Sequence, residues 1–409
     1  LARTDATHPA AEPAVSLPAS AAKRLAAVQS PVIPVMAELI RQTPGTLSLG
    51  QGMVHWGPPA AAHQSLLAAS LSAAQAAHPS LNSYGPVAGD AALIEPLASW
   101  LDQEHGLELE GSALLISAGS NMAFNAVAQV LCDPGDELIL PVPYYFNHEM
   151  AIRLAGGIPV PVQAGLIPDP ERLAAAITPR TRGIVTVSPN NPSGAVIPQA
   201  VLAAINQLCA KRGLLHICDE AYALFRHGDT PIWSPGSQPG SGAHTVTLGS
   251  LSKSHGMAGW RVGWAVVPTT LMPALAKVQD TILICPPRLI QCAASAALAA
   301  GGDWCRARIA ALSTRRLRVL AALSQADDRW QVLGPADGAF YALLQIEAPL
   351  SSDQAMERLI REQRVALVSG SSFGLPGCCL RLSYGMLNDN DLDEALGRLV
   401  SGLQTLCEG

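Results

Sequence analysis

Seven short apolar runs between about residue 60 and residue 300 restrict this chain most: SALLIS, DELILPV, GIPVPV, RGIVTVS, LLHICD, HTVTLG and RVGWAVV. Ala-rich stretches with helical spacing separate them. A strand covered on both faces has no polar side to show, so it reads as a continuous apolar run, and helices must supply the cover. The pattern predicts an α/β domain whose mostly parallel sheet of seven strands lies between helices. Ligands of such sheets sit beyond the carboxyl ends of the strands.

Outside that span the texture changes. WQVLGPADGAFYALLQI, VALVSGSSFG and CLRLSYG are strand-like pieces set among the helical stretches 304–324, SSDQAMERLIREQ and LDEALGRLVSGLQTL. This α+β pattern places a smaller domain in residues 301–409, completed by residues 21–55, with residues 56–300 as the large domain. In the segment before Gly50, helical spacing is interrupted by Pro31 and Pro34. Residues 1–20, rich in Ala and Pro and without the apolar centre of a secretion signal, read as a flexible tail.

Composition narrows the partners. With 26 basic against 32 acidic side chains, a net charge of −6 and no Lys/Arg run, nucleic acid is excluded as a partner. No apolar segment approaches the roughly 18–20 residues that cross a bilayer, so no membrane span is expected. The nine cysteines are odd in number and form no CxxC pair, which argues against a disulfide framework or a zinc site, leaves no metal to expect, and fits a cytoplasmic protein.

Three of the apolar strands end in polar sequences richer than a turn needs: SPNNPSG, DEAY and SLSKSHGMAGWRVGW. Each sets reactive side chains just past a strand's carboxyl end. Lysine occurs only at Lys23, Lys211, Lys253 and Lys277, yet one of the four stands in such a loop, among Ser250, Ser252 and Ser254. A primary amine can form a Schiff base with an aldehyde and can lose its proton beside a cation such as Arg261, which an arginine cannot do.

SLSK followed by Arg at plus eight, with NPSG and DEAY upstream, GQG near residue 50 and RLSYG near residue 385, resembles the class I aminotransferases of fold type I, which depend on pyridoxal phosphate. The resemblance implies that Lys253 bonds the cofactor aldehyde and then carries the proton between the substrate α-carbon and the cofactor. It gives Asp219 the pyridine nitrogen; a helix N-cap is the alternative for an Asp at that place. Asn191 and Tyr222 would hold the ring's phenolic oxygen, although Asn-Pro-Ser-Gly is also an ordinary turn. Tyr145 would stack on the ring, where the family often has Trp, and Asn147 and His148 follow it, with His148 supporting Asp219 from behind.

For the phosphate, Gly119, Ser120 and Asn121 open a helix whose N-terminus favours an anion, and Ser250, Ser252 and Arg261 would complete the cradle. Tyr84 resembles the tyrosine that reaches the phosphate of a neighbouring subunit, which implies a homodimer with shared active sites. Arg381 resembles the arginine that clamps the substrate carboxylate, helped by Gly52 and Asn191. Met53, His55 and Trp56 lie where side-chain specificity is often set. The expected activity is ping-pong transfer of an amino group from an L-amino acid, methionine or an aromatic one among the candidates, to a 2-oxo acid. A C–S lyase of the same fold is the alternative. A regulator of this fold needs an N-terminal winged helix, for which the segment before residue 60 is too short.

Overall fold

The computed structural model describes residues 22–74, 79–231, 233–324 and 328–408. The expected tail lies outside them. Helix α1 (Val32–Gln42) comes first, with Pro31 at its N-cap and Pro34 in its first turn. A proline there removes no intrahelical hydrogen bond, so the two prolines start one helix and do not interrupt it. Strand β1 (Leu47–Ser48) and helices α2 (Ala60–Ala74) and α3 (Ala91–His105) follow.

Strands then alternate with helices: β2 (Ser112–Ser117), α4 (Ser120–Leu131), β3 (Glu137–Pro141), α5 (Phe146–Leu154), β4 (Ile158–Val162) and α6 (Pro170–Ala175). The series continues with β5 (Thr181–Val187), α7 (Gln199–Arg212), β6 (Leu215–Asp219), β7 (Thr245–Ser250) and β8 (Gly263–Pro268). These strands form one seven-stranded sheet in the order β2-β8-β7-β6-β5-β3-β4. Only β8 runs against its neighbours; the other pairings are parallel. This is the mostly parallel α/β sheet expected from the apolar runs.

Alternate residues of each strand serve opposite faces. Leu115, Leu138, Leu140, Val185, Ile217 and Val246 pack on one side with Phe124 and Ile152 of α4 and α5. Ile139 and Ile184 pack on the other with Ile205 and Cys209 of α7, and Leu114 and Ile116 with Leu93 and Leu97 of α3. Cutting a fully buried member such as Leu115 back to Ala costs about 2–5 kcal/mol, through lost transfer energy and the cavity left behind.

Helices α8 (Met272–Leu283), α9 (Arg288–Leu298) and α10 (Gly301–Ser324) lead to β9 (Trp330–Val332), β10 (Tyr341–Ile346), α11 (Ser352–Gln363), β11 (Val365–Ala366), β12 (Val368–Ser369), β13 (Cys378–Ser383) and α12 (Asp389–Glu408). The second sheet is antiparallel, in the order β12-β13-β10-β9. The N-terminal segment joins this part of the molecule: β1 pairs with β11, and Leu49 N–H donates to the Ala366 carbonyl. Among the described residues no single helix is long and apolar enough to cross a membrane.

Candidate active site

Three parallel strands, β5, β6 and β7, run side by side and end at the same edge of the large sheet. Their continuations carry Asn191, Asp219 and Lys253, and the N-terminus of α4 opens at the same edge. A cavity of about 220 Å³ lies there. Its lining includes Lys253, Asp219, Tyr222, Asn191, Tyr145, Ser120, Asn121, Ser250, Ser252, Arg261, Gly52 and Arg381. Of the residues singled out from the sequence, Gly119 stands just behind Ser120, and Tyr84 is elsewhere, 79% exposed.

Asp219 is buried, with both carboxylate oxygens bound: Oδ2 lies 3.0 Å from His148 Nε2, and Oδ1 accepts the Ala221 N–H at 3.0 Å. A turn and not a helix follows Asp219, so the helix N-cap alternative fails; the carboxylate that caps this turn is the one bonded to His148. His148 is placed by the first turns of α5, which also bring Asn147 Nδ2 to donate to the Tyr145 hydroxyl at 2.8 Å. Burial pushes the Tyr145 phenol above its usual range, so it stays neutral.

Lys253 Nζ donates to the Gly52 carbonyl at 2.5 Å. Burial first, and then the nearby guanidiniums of Arg381 and Arg261, hold its amine down at about 8; the Asp219 carboxylate works the other way. The amine is thus available as a nucleophile and base close to neutral pH. Gly52 has no room for a side chain, since a Cβ there would lie 2.7 Å from the Tyr341 hydroxyl.

At the mouth of α4 the helix has no side-chain cap. Its first N–H groups remain free for a ligand. Gly119 holds φ at +88°, and a Cβ there would stand 2.5 Å from Arg261 Nη2. That guanidinium donates to the carbonyls of Ala258 and Ala118. Free amide donors, the hydroxyls of Ser250 and Ser252, and a guanidinium converge as an anion site.

Arg381 is in β13, inside the second sheet and not at its edge, and is only 2% exposed. Nη1 donates to Asn191 Oδ1 at 2.9 Å and Nη2 to the Gly50 carbonyl at 2.6 Å, while the buried Nε has no partner. The guanidinium lies over the rings of Tyr341 and Phe373 at 4.6 and 5.5 Å. A cation so enclosed, bonded to neutral oxygens and with a donor to spare, can pair with an anionic group such as a carboxylate.

Tyr341 was not legible as a site residue. Its hydroxyl lies 2.7 Å from that of Tyr222, and burial pushes its phenol to about 12 and that of Tyr222 well up. Ile33 of α1, Phe146 of α5 and Met53 also line the cavity. His55 and Trp56 do not: His55 Nδ1 faces the Gly385 carbonyl and Arg315, and the Trp56 ring N–H donates to the Ser254 carbonyl. Their ring nitrogens are thus engaged with neighbouring groups of the protein. Among the described residues no group of three His, Cys, Asp or Glu could hold a metal ion.

Comparison with known proteins agrees with this geometry. The model of the family "Aminotransferase class I and II" matches residues 49–399. A probable aspartate/prephenate aminotransferase of Thermus aquaticus is 35% identical over 78% of this chain and 84% of its own. An aromatic aminotransferase of Arabidopsis thaliana is 31% identical over 94% of this chain and 96% of its own. The structure of Thermus thermophilus aspartate aminotransferase with maleate superposes with a TM-score of 0.82, at 31% identity, over 94% of this chain and 99% of that one. Enzymes of this family depend on pyridoxal phosphate. From strand-end lysine to enclosed arginine, the chain belongs to the class I and II aminotransferases and is an amino-acid aminotransferase.

Proposed function

We propose that this enzyme binds pyridoxal phosphate and moves the amino group of an L-amino acid with an apolar or aromatic side chain, methionine included, to a 2-oxo acid by ping-pong chemistry. The observation that carries the reading is the Lys253 amine, held at about 8 in one cavity with Asp219 and Arg381. The residues present fit the cofactor. The uncapped start of α4 with Ser250, Ser252 and Arg261 suits its phosphate, Asp219 its ring nitrogen, Tyr145 its ring face, and Asn191 with Tyr222 its phenolic oxygen. When bound, pyridoxal phosphate supplies an aldehyde carbon and a ring that accepts the electron pair of the broken bond.

Arg381 would orient the substrate by its carboxylate through guanidinium donors that the protein leaves unbonded. Lys253 Nζ would take the proton from the substrate α-carbon and deliver it to the carbon on the other side of the transferred nitrogen, a task that a nitrogen with pKa near neutrality performs in both directions. Asp219, fixed by His148 and the Ala221 N–H, would face the ring nitrogen with its carboxylate.

The three cations of the lining, Lys253, Arg261 and Arg381, all have tasks in this scheme, and Ile33, Met53, Phe146 and Tyr341 present apolar surface to the remaining space. That supports an apolar or aromatic side chain over a second carboxylate. The exposed Tyr84 supports a homodimer in which it serves the neighbouring subunit's phosphate site. We assign residues 56–300 to a large cofactor domain, 21–55 with 301–409 to a small one, and the enzyme to the cytoplasm.

The test is Lys253→Ala. Purified enzyme should absorb in the visible and form a borohydride-reducible adduct. The variant should lose the adduct, and its kcat should fall by about 10⁴, the upper range for a positioned proton-transfer group. Full activity in the variant refutes the reading.

A further inference from the structure

A second cavity, of about 280 Å³, backs onto the active site and shares none of its lining among the described residues. Single thicknesses of chain divide the two. Val187 and Asn191 line the active site, whereas Ser188 and Pro189 between them line the second cavity; likewise Asp219 and Tyr222 belong to the one, Glu220 and Ala223 to the other. Hydrogen bonds hold this partition. The Ser188 N–H donates to the Asp219 carbonyl at 3.1 Å, and the Ser188 hydroxyl accepts the Ile197 N–H at 3.1 Å. Asp337, in the loop before β10, closes the far side, and its carbonyl accepts the His227 N–H at 2.8 Å. None of these lining residues enters the chemistry proposed above.

Pro189, Val196, Ile197, Ala223 and Trp233 make most of the wall apolar. A cavity of roughly 300 Å³ with apolar walls and a few polar groups is the usual form of a small-molecule site. Its ionisable groups differ in what they leave unmet. The Asp337 carboxylate is already matched by Arg316, 3.0 Å away. Burial pushes the Glu220 carboxyl up to about 8, so it is neutral at pH 7, and it accepts the Ser234 hydroxyl at 2.7 Å. Arg226 makes no ion pair among the described residues; its guanidinium donates to the Thr230 carbonyl at 3.3 Å. The uncompensated charge of the lining is therefore positive. Helix α7 starts at the same cavity, at Pro198 and Gln199, without a side-chain cap, which adds to that sign.

We infer that this cavity is a second binding site, for a small carboxylic acid with a flat apolar body and no amino group. The carboxylate pairs with the exposed Arg226, and the body lies against the flat faces of Pro189 and Trp233. An ammonium group would find no unpaired carboxylate there, since Glu220 is neutral and Asp337 is taken. An occupant braces from behind the segments that carry Asn191, Asp219 and Tyr222.

The test is calorimetric titration of 3-phenylpropionate into the full chain carrying Arg381→Leu, loaded with pyridoxal phosphate, so that the active-site arginine contributes nothing. One equivalent should bind at millimolar concentration, and 3-phenylpropylamine, of the same shape and opposite charge, should not. Adding Arg226→Gln should weaken binding about 10-fold, the scale of one charge-assisted bond at an exposed rim. Adding Val196→Trp should fill the space and abolish it. No binding to the Arg381→Leu protein, equal binding of the amine, or indifference to Arg226→Gln overturns the inference. Should Val196→Trp not fold, the exposed Arg226→Gln decides. These outcomes are independent of Lys253 labelling by borohydride, whose absence would sink the proposed function instead.

Discussion

Charge is handled in opposite ways at the two ends of the cavity. At one end Asp219 has both oxygens bonded by the protein, and its surroundings come from neighbouring strands of one sheet and the first turns of α4 and α5. At the other, Arg381 has two neutral acceptors and an unbonded Nε, and the walls come from α1, the 50–53 loop, β10 and β13. The first end is complete without a ligand. The second keeps a buried donor unpaired, which the proposed carboxylate role would use. One end is therefore suited to holding a permanent group, and the other to admitting and releasing a transient one.

The sharpest way to break this contrast is Asp219→Asn, which keeps the shape and removes the charge. It should lower kcat by about 10³ while cofactor stays bound, the scale of a lost preorganised charge, read from single-turnover absorbance. Arg381→Leu should lower kcat/KM for the amino donor by about 10²–10³ and leave the cofactor spectrum intact, the cost of stranding one half of a buried charge pair. If both variants instead weaken cofactor retention equally, the two ends are not separate. Tyr341→Phe removes the 2.7 Å bond to Tyr222, and a loss of about 3–10-fold in kcat/KM is expected from one hydrogen bond.

The smallest effect is one of pH. In cofactor-free protein the rate of Lys253 acylation should rise with a midpoint near 8, and Arg381→Leu should move that midpoint upward by removing a neighbouring cation. The sign for stability follows. The unfolded chain keeps this lysine protonated up to about 10.5 and the folded protein only to about 8, so the unfolded state binds more protons between them. Its contribution to stability therefore rises with pH across that window.

The same contrast explains what could be read beforehand. Asn191, Asp219 and Lys253 follow apolar strands directly, and a doubly covered strand is a continuous apolar run, so its polar end stands out in sequence. The enclosed arginine was legible through the resemblance of RLSYG to the family's motif. Tyr341 was not, since AFYALLQI looks like any buried strand, and only the fold brings its hydroxyl to Tyr222. Ile33 lines the same cavity as Arg381 from some 350 positions away, a placement that no local spacing encodes. His55 and Trp56 show the converse: a loop that touches the cavity at Met53 turns away two residues later.

Helix α1 is short, lies near the start of the described chain and supplies Ile33 to the side-chain wall, yet none of the groups assigned to proton transfer belongs to it. One part of the proposed side-chain wall is thereby carried apart from the proposed proton-transfer groups, so grafting the equivalent leading segment from a relative should alter amino-acid preference while leaving those groups in place.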